Sequence, residues 1–171
     1  MKEVLNQLFE YKSLDKATAK EILIKLAQGE YNQSQVAAFL TVYLMRSITV
    51  HELEGFRDAM LELCVPLHIE EYDAIDLCGT GGDGHHTLNV STAVALVVAA
   101  CGVPVAKHGN RAASSKAGAA DTLEALGLNL DRAMETAEET LADLGVCFLF
   151  AGKHHPAMGR IMPIRRAIGR R

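Results

Sequence analysis

Four glycines fall within the six residues Gly79-Thr80-Gly81-Gly82-Asp83-Gly84, directly after the short apolar run Ala74-Ile75-Asp76-Leu77-Cys78. This junction constrains the fold more than any other feature of the chain. The apolar run reads as a short buried strand. Glycines at a strand's C-terminal end let the backbone approach a ligand closely and turn its amides inward. Open α/β sheets bind their ligands at that edge. A helix follows over about 91–101, then a second strand at Val103-Pro104-Val105-Ala106. Helices near 117–126 and 131–144 come next, with Gly127 and Gly145 placed to stop them. Val146-Cys147-Phe148-Leu149-Phe150 reads as a third strand. Strands alternating with helices predict parallel crossovers.

Upstream of about residue 70 the pattern is helical. Leu5, Leu8 and Phe9 recur at helical spacing. Ser13 is placed to cap a second helix carrying Ile22, Leu23 and Leu26, which stops at Gly29. Asn32 opens a third with Val36, Phe39, Leu40, Tyr43 and Leu44. Thr49-Val50-His51-Glu52 fits a capping box ahead of a fourth helix bearing Leu53, Phe56, Met60 and Leu63. The expected fold class is therefore α/β, an N-terminal helical bundle followed by the first part of a mostly parallel α/β domain. The expected domains are 1–70 and 71–171. Three strands make a narrow parallel sheet, so the second domain reads as truncated.

The chain of 171 residues carries a net charge of -4, which gives no basic footprint for nucleic acid. Cys64, Cys78, Cys101 and Cys147 are widely spaced, without a CxxC pair, and read as buried free thiols. No apolar run is long enough to span a bilayer and the first residues do not resemble a signal peptide. A cytoplasmic protein without membrane association is expected. Met45, Met60, Met134, Met158 and Met162 read as packing residues, and His154 and His155 as structural, with Pro156 opening a helix.

The glycine loop formally fits G-x-G-x-x-G, but the end of the second strand offers Lys107 where a dinucleotide site wants a carboxylate. Asp83 either orients a ribose hydroxyl or metal, or closes its own turn. Thr87, Asn89, Ser91 and Thr92 offer oxygens and amides at a helix N-terminus, more than capping needs. His85 and His86 read as loop surface. Lys107-His108-Gly109-Asn110-Arg111-Ala112-Ala113-Ser114-Ser115-Lys116 follows the second strand and adds cations and hydroxyls at the same sheet edge. Together the two loops suit an anionic, multi-phosphate ligand.

The stretch 76–84 with Thr87 and Asn89-Val90-Ser91-Thr92 resembles one signature of the anthranilate phosphoribosyltransferases. Lys107-His108-Gly109-Asn110-Arg111 with Ser114-Ser115-Lys116 resembles a second. His154-His155-Pro156-Ala157-Met158 and Pro163-Ile164-Arg165-Arg166 match a third region. The resemblance implies a fold of the nucleoside phosphorylase/phosphoribosyltransferase type and a homodimer formed through the N-terminal helices. It implies transfer of a phosphoribosyl group from phosphoribosyl pyrophosphate to the amine of anthranilate, with release of pyrophosphate, in tryptophan biosynthesis.

By the same resemblance the donor contacts are Gly79, Gly82, Asp83, Thr87, Asn89, Val90, Ser91, Thr92, Lys107, His108, Gly109, Asn110, Arg111, Ala112, Ala113, Ser114 and Ser115. Ala119 stands where the family often has a serine, leaving only backbone for that contact. Gly79, Asn110 and Arg165 are implied to face anthranilate, and Ser91 to be a hydroxyl ligand of Mg2+. Arg170 and Arg171 read as a solvated basic end. No residue is assigned as a general base. The family's adjacent Asp–Glu pair, which helps hold magnesium, has no counterpart among these residues. Alternative expectations are a catalytically incomplete, dimerising half-site module and a pyrimidine nucleoside phosphorylase relative.

Overall fold

A computed structural model describes residues 1–79, 88–112 and 117–169. Its contacts divide the chain into two compact units, Met1–Cys64 with His155–Arg171, and Val65–His154.

The first unit is helical, with α1 (Lys2–Phe9), α2 (Lys16–Gln28), α3 (Gln33–Met45) and α4 (Val50–Leu63). The predicted boundaries hold where the capping chemistry was unambiguous. Asn32 accepts the Gln35 amide at 2.9 Å, and Gln35 Oε1 accepts the Asn32 amide. Thr49 and Glu52 form the second capping box. Gly29 ends α2 in the left-handed region at φ 81°. The cap of α2 differs from expectation. Asp15, not Ser13, accepts the Thr18 amide at 2.8 Å, so the helix begins two residues later than Ser13 would place it.

Leu5, Leu8, Ile22, Leu26, Val36 and Phe39 form the buried centre of this unit. Phe9 turns outward at 58% exposure, and Met45 is likewise on the surface rather than in the packing. Helices α2 and α4 cross at Gly55, where a Cβ would collide with the Lys16 carbonyl oxygen and lie 2.8 Å from Ala19 Cβ. Residues 155–171 group with this unit by contacts: Ile161 is buried in the same core, with Met158 and Ile164 against it.

The second unit contains α5 (Val90–Ala100), β1 (Val105–Gly109), α6 (Ala119–Ala125), α7 (Leu130–Glu135), α8 (Ala137–Leu144), β2 (Val146–Phe150) and α9 (Ala151–His154). The two strands pair in parallel, with Val105 opposite Val146 and Gly109 opposite Phe150. The expected first strand is reduced to one parallel bridge between Ile75 and Val105. The reason is local. The Asp76 carboxylate accepts the His108 amide at 3.0 Å, and the Leu77 carbonyl accepts from Lys107 Nζ at 2.9 Å. Side chains thus take the backbone groups that a continuing ladder would use. Ile75 is accordingly half-exposed rather than buried.

The single helix expected over 131–144 is broken at Thr136. The Thr136 hydroxyl donates back to the Arg132 carbonyl at 3.1 Å, the competition that lets a threonine interrupt a helix. The predicted strand at 146–150 forms as expected, while the second strand runs later than predicted, over Val105–Gly109. All four cysteines are free, but only Cys147 is buried; Cys78 and Cys101 are exposed, contrary to expectation. Burial pushes the Cys147 thiol up to about 11.

Candidate functional site

Lys107 lies on β1 with only 3% of its surface exposed. Its ammonium donates to the Leu77 carbonyl at 2.9 Å and to the Ser91 hydroxyl at 3.4 Å. Burial lowers its pKa, opposed by Asp76 and Cys78. No carboxylate lies within ion-pairing distance of it among the described residues. A nearly buried cation without an ionic partner is costly unless an anion joins it.

Ser91 sits in the first turn of α5, whose N-cap is Asn89. Asn89 Oδ1 accepts the Thr92 amide at 3.2 Å, the Thr92 hydroxyl at 2.7 Å and the Ser91 hydroxyl at 3.3 Å. One side chain therefore orients both hydroxyls at the positive end of the helix dipole. Gly79 closes the other side: a Cβ there would come within 3.2 Å of Ser91 Oγ. A side chain there would crowd the Ser91 hydroxyl, so glycine leaves the chain room to approach α5.

At the end of β1, His108 is fixed through its amide to Asp76, and its ring meets His154 edge-on with centroids 5.8 Å apart. Burial lowers the His154 pKa, aided by His108. Gly109 has no room for a side chain, since a Cβ would lie 2.8 Å from the Phe148 ring and 2.9 Å from Ala119 Cβ. Asn110 accepts the Ala120 amide on its carbonyl at 3.1 Å. Arg111 reaches Asp121 at 3.1 Å and Glu124 at 2.7 and 3.0 Å, and its guanidinium lies 5.8 Å from the Phe150 ring centroid. Asp121 was not singled out in the sequence; a carboxylate three residues after Gly118, at a helix start, was the available signal.

The structure thus brings Gly79, Asn89, Val90, Ser91, Thr92 and Lys107 to one place, with His108, Gly109, Asn110, Arg111 and Ala112 following along the chain and Ala119, the first residue of α6, beside Gly109. Gly82, Asp83, Thr87, Ala113, Ser114 and Ser115 lie outside the described residues. Arg165 belongs to the helical unit, on the terminal helix Met162–Ala167. A separate cavity of about 400 Å³ lies in the α/β unit, with Leu96, Leu123, Leu128 and Phe148 among its lining. Of the expected donor contacts among the described residues, Thr92 and Lys107 reach it, and its apolar walls do not suit a polyphosphate.

The described residues contain no group of three or more His, Cys, Asp or Glu side chains that could hold a metal. Among the described residues, Ser91 supplies a hydroxyl oxygen beside the Lys107 ammonium. That donor set fits a magnesium ion only if most ligands arrive as phosphate oxygens and water, which is how such ions commonly bind. No helix among the described residues is long and apolar enough to cross a membrane.

Comparison with known proteins gives the same picture. Residues 2–64 match the helical bundle domain of a glycosyl transferase family, and residues 71–171 match the family's a/b domain. Anthranilate phosphoribosyltransferase from Novosphingobium aromaticivorans is 65% identical over 158 residues, covering 92% of this chain and 48% of that protein. The enzyme of the same name from Flavobacterium psychrophilum is 46% identical over 98% of this chain and 51% of its own. The crystal structure of the Thermus thermophilus anthranilate phosphoribosyltransferase superposes with a TM-score of 0.85 at 42% identity, covering 98% of this chain and 51% of that one. The Saccharomyces cerevisiae enzyme in complex with PRPP and Mg superposes with a TM-score of 0.82 at 26% identity, over 96% and 50%. The chain spans about half the length of the curated relatives it matches. With its helical bundle and its a/b domain both matched, this chain belongs to the glycosyl transferase family.

Proposed function

We propose that the chain supplies the phosphoribosyl-pyrophosphate-binding part of an anthranilate phosphoribosyltransferase. The reaction joins the amine of anthranilate to C1 of the ribosyl group and releases pyrophosphate. The buried Lys107 ammonium, held beside the Ser91 hydroxyl at the N-terminus of α5, carries this reading. Positive charge develops at the ribose C1 as negative charge collects on the leaving pyrophosphate. A fixed ammonium and oriented amides stabilise that leaving charge without reorganising.

Asn89 keeps the Ser91 and Thr92 hydroxyls facing the donor. Gly79, Gly109 and the Asn110 backbone let the chain approach it, and Ala119 contributes backbone only. Ser91 Oγ would add one oxygen to Mg2+ arriving on the pyrophosphate oxygens; the ion would supply further charge neutralisation there. Asp83 is the group for the ribosyl hydroxyls, and Gly82, Thr87 and Ala113 to Ser115 complete the donor contacts. Gly79 and Asn110 are the proposed contacts to the acceptor, and Arg165 the partner of its carboxylate through a planar fork. No side chain is needed as a general base, because the arylamine is neutral and nucleophilic near neutral pH. The relatives' shared name and the yeast complex with PRPP and Mg support the substrate and metal classes. The helical unit is the proposed homodimer surface, and the cytoplasm the proposed compartment.

Titration calorimetry with phosphoribosyl pyrophosphate and magnesium tests the reading. The wild-type chain is expected to bind, and Lys107→Met to bind at least about tenfold more weakly, a loss of about 1.4 kcal/mol. Equal binding by the two would remove Lys107 from the site. A second reading is a dimerising half-site module without turnover, favoured by the half-length match to the relatives.

A further inference from the structure

The chain leaves β1 through Asn110-Arg111-Ala112, and Gly118 is the N-cap of α6. The two ends of this connection are held by one side chain. Asp121 Oδ2 accepts the Ala112 amide at 2.8 Å and the Gly118 amide at 2.8 Å. Its other oxygen, Oδ1, accepts from Arg111 Nη1 at 3.1 Å. The Ala120 amide donates to the Asn110 carbonyl at 3.1 Å, a second tie across the same gap. Gly118 packs so closely that a Cβ would collide with the Ala112 nitrogen and lie 2.6 Å from the Asn110 carbonyl oxygen. The amides and the guanidinium hold the Asp121 carboxyl below its ordinary range.

An ordinary capping carboxylate would accept one amide from its own helix. Asp121 does that and also reaches across to Ala112, nine residues earlier. It holds Arg111 as well, whose guanidinium is shared with Glu124 in a two-point contact.

We infer that Asp121 is a positioning residue for donor binding: by clamping the Ala112 and Gly118 amides it fixes the Asn110–Ala112 backbone in the geometry that receives phosphoribosyl pyrophosphate. The inference rests on the donor-binding reading above. Asp121 does not touch the donor; it acts through the backbone on either side of the connection. Glu124 orients the Arg111 side chain but bears on neither amide.

The test uses three variants of the chain, Asp121→Asn, Asp121→Glu and Glu124→Gln, with two readouts. Backbone amide exchange reports the clamp at Ala112 and Gly118 directly. Calorimetric titration with phosphoribosyl pyrophosphate and magnesium reports its consequence. Asp121→Asn is expected to speed exchange at both amides and to weaken donor binding on the order of tenfold. Asp121→Glu, which keeps the charge but moves it by one methylene, is expected to do the same to a smaller degree, and remains informative if the asparagine variant fails to fold. Glu124→Gln is expected to leave both amides protected and to weaken binding less than Asp121→Asn does, through the Arg111 side chain alone. Unchanged exchange or unchanged binding in both Asp121 variants, with the wild-type chain binding, overturns the inference. A Glu124→Gln effect as large as that of Asp121→Asn overturns it too, because the ion pair rather than the clamp would then be responsible. Failure of the wild-type chain to bind contradicts the donor-binding reading itself, and the positioning role with it.

Discussion

Glu52 has no solvent-exposed surface, yet it carries a charge. Its carboxylate is bound bidentately by Arg46 and accepts the Leu14 amide at 3.0 Å, the Thr49 amide at 2.9 Å and the Tyr43 hydroxyl at 3.1 Å. Burial alone would raise its pKa; Arg46 and the Leu14 and Thr49 amides reverse that and hold it at about 2. One side chain thereby joins the segment before α2, the end of α3 and the start of α4. Replacing it by glutamine leaves Arg46 without its ionic partner, and a broken buried pair costs about 3 kcal/mol. Urea unfolding followed by circular dichroism is expected to show that loss for Glu52→Gln. The sign of the pH dependence follows from a folded-state pKa depressed below the ordinary 4.5. The contribution is fully present above pH 4.5 and disappears as the pH falls toward 2. The glutamine variant should have a flatter stability profile across that window, and an unchanged slope would deny Glu52 the role. Only half of this network was legible in the sequence. Thr49 and Glu52 stood at capping-box spacing, but nothing local to them pointed to Leu14, which lies 38 residues away.

The helices show which elements a sequence declares and which depend on tertiary context. Asn32, Thr49, Gly29 and Gly145 act on backbone groups within a turn of themselves, so their boundaries could be read directly. The strand at 74–78 could not, because its own Asp76 carboxylate takes the His108 amide of β1 and Lys107 of β1 takes the Leu77 carbonyl. The same diversion builds the site: the residue that shortens the strand is the buried ammonium. In the sequence Lys107 was visible as a cation after a strand, but its burial and its contact with Ser91 needed the fold. Close element packing was similarly silent at Gly55. Glycine is by propensity a weak helix residue, whereas Gly55 is the point where α2 passes. Gly55→Ala drives a Cβ into the Lys16 carbonyl oxygen and to 2.8 Å from Ala19 Cβ, neither of which can rotate away. Overpacking of this kind costs about 2 kcal/mol, and thermal unfolding should show Gly55→Ala as less stable than wild type despite alanine's better helix propensity. A more stable variant would mean that α2 and α4 do not cross so closely.

At the scale of the molecule, the order of the chain and the grouping of its contacts differ. The family's a/b domain is matched over 71–171, while residues 155–171 pack with the helical core through Ile161. That segment carries Arg165, the proposed acceptor contact. The two long signatures were legible because glycines, hydroxyls and cations at a sheet edge have few other uses. What the chain does alone was not, since it covers about half the length of its curated relatives. The most direct measurement is the loss of anthranilate fluorescence with phosphoribosyl pyrophosphate and magnesium. It is made on this chain mixed with the portion of the Novosphingobium aromaticivorans enzyme outside the matched region. Turnover that is abolished by Lys107→Met is the predicted result. Turnover untouched by that substitution would contradict the account, as would an inert mixture whose two components demonstrably associate.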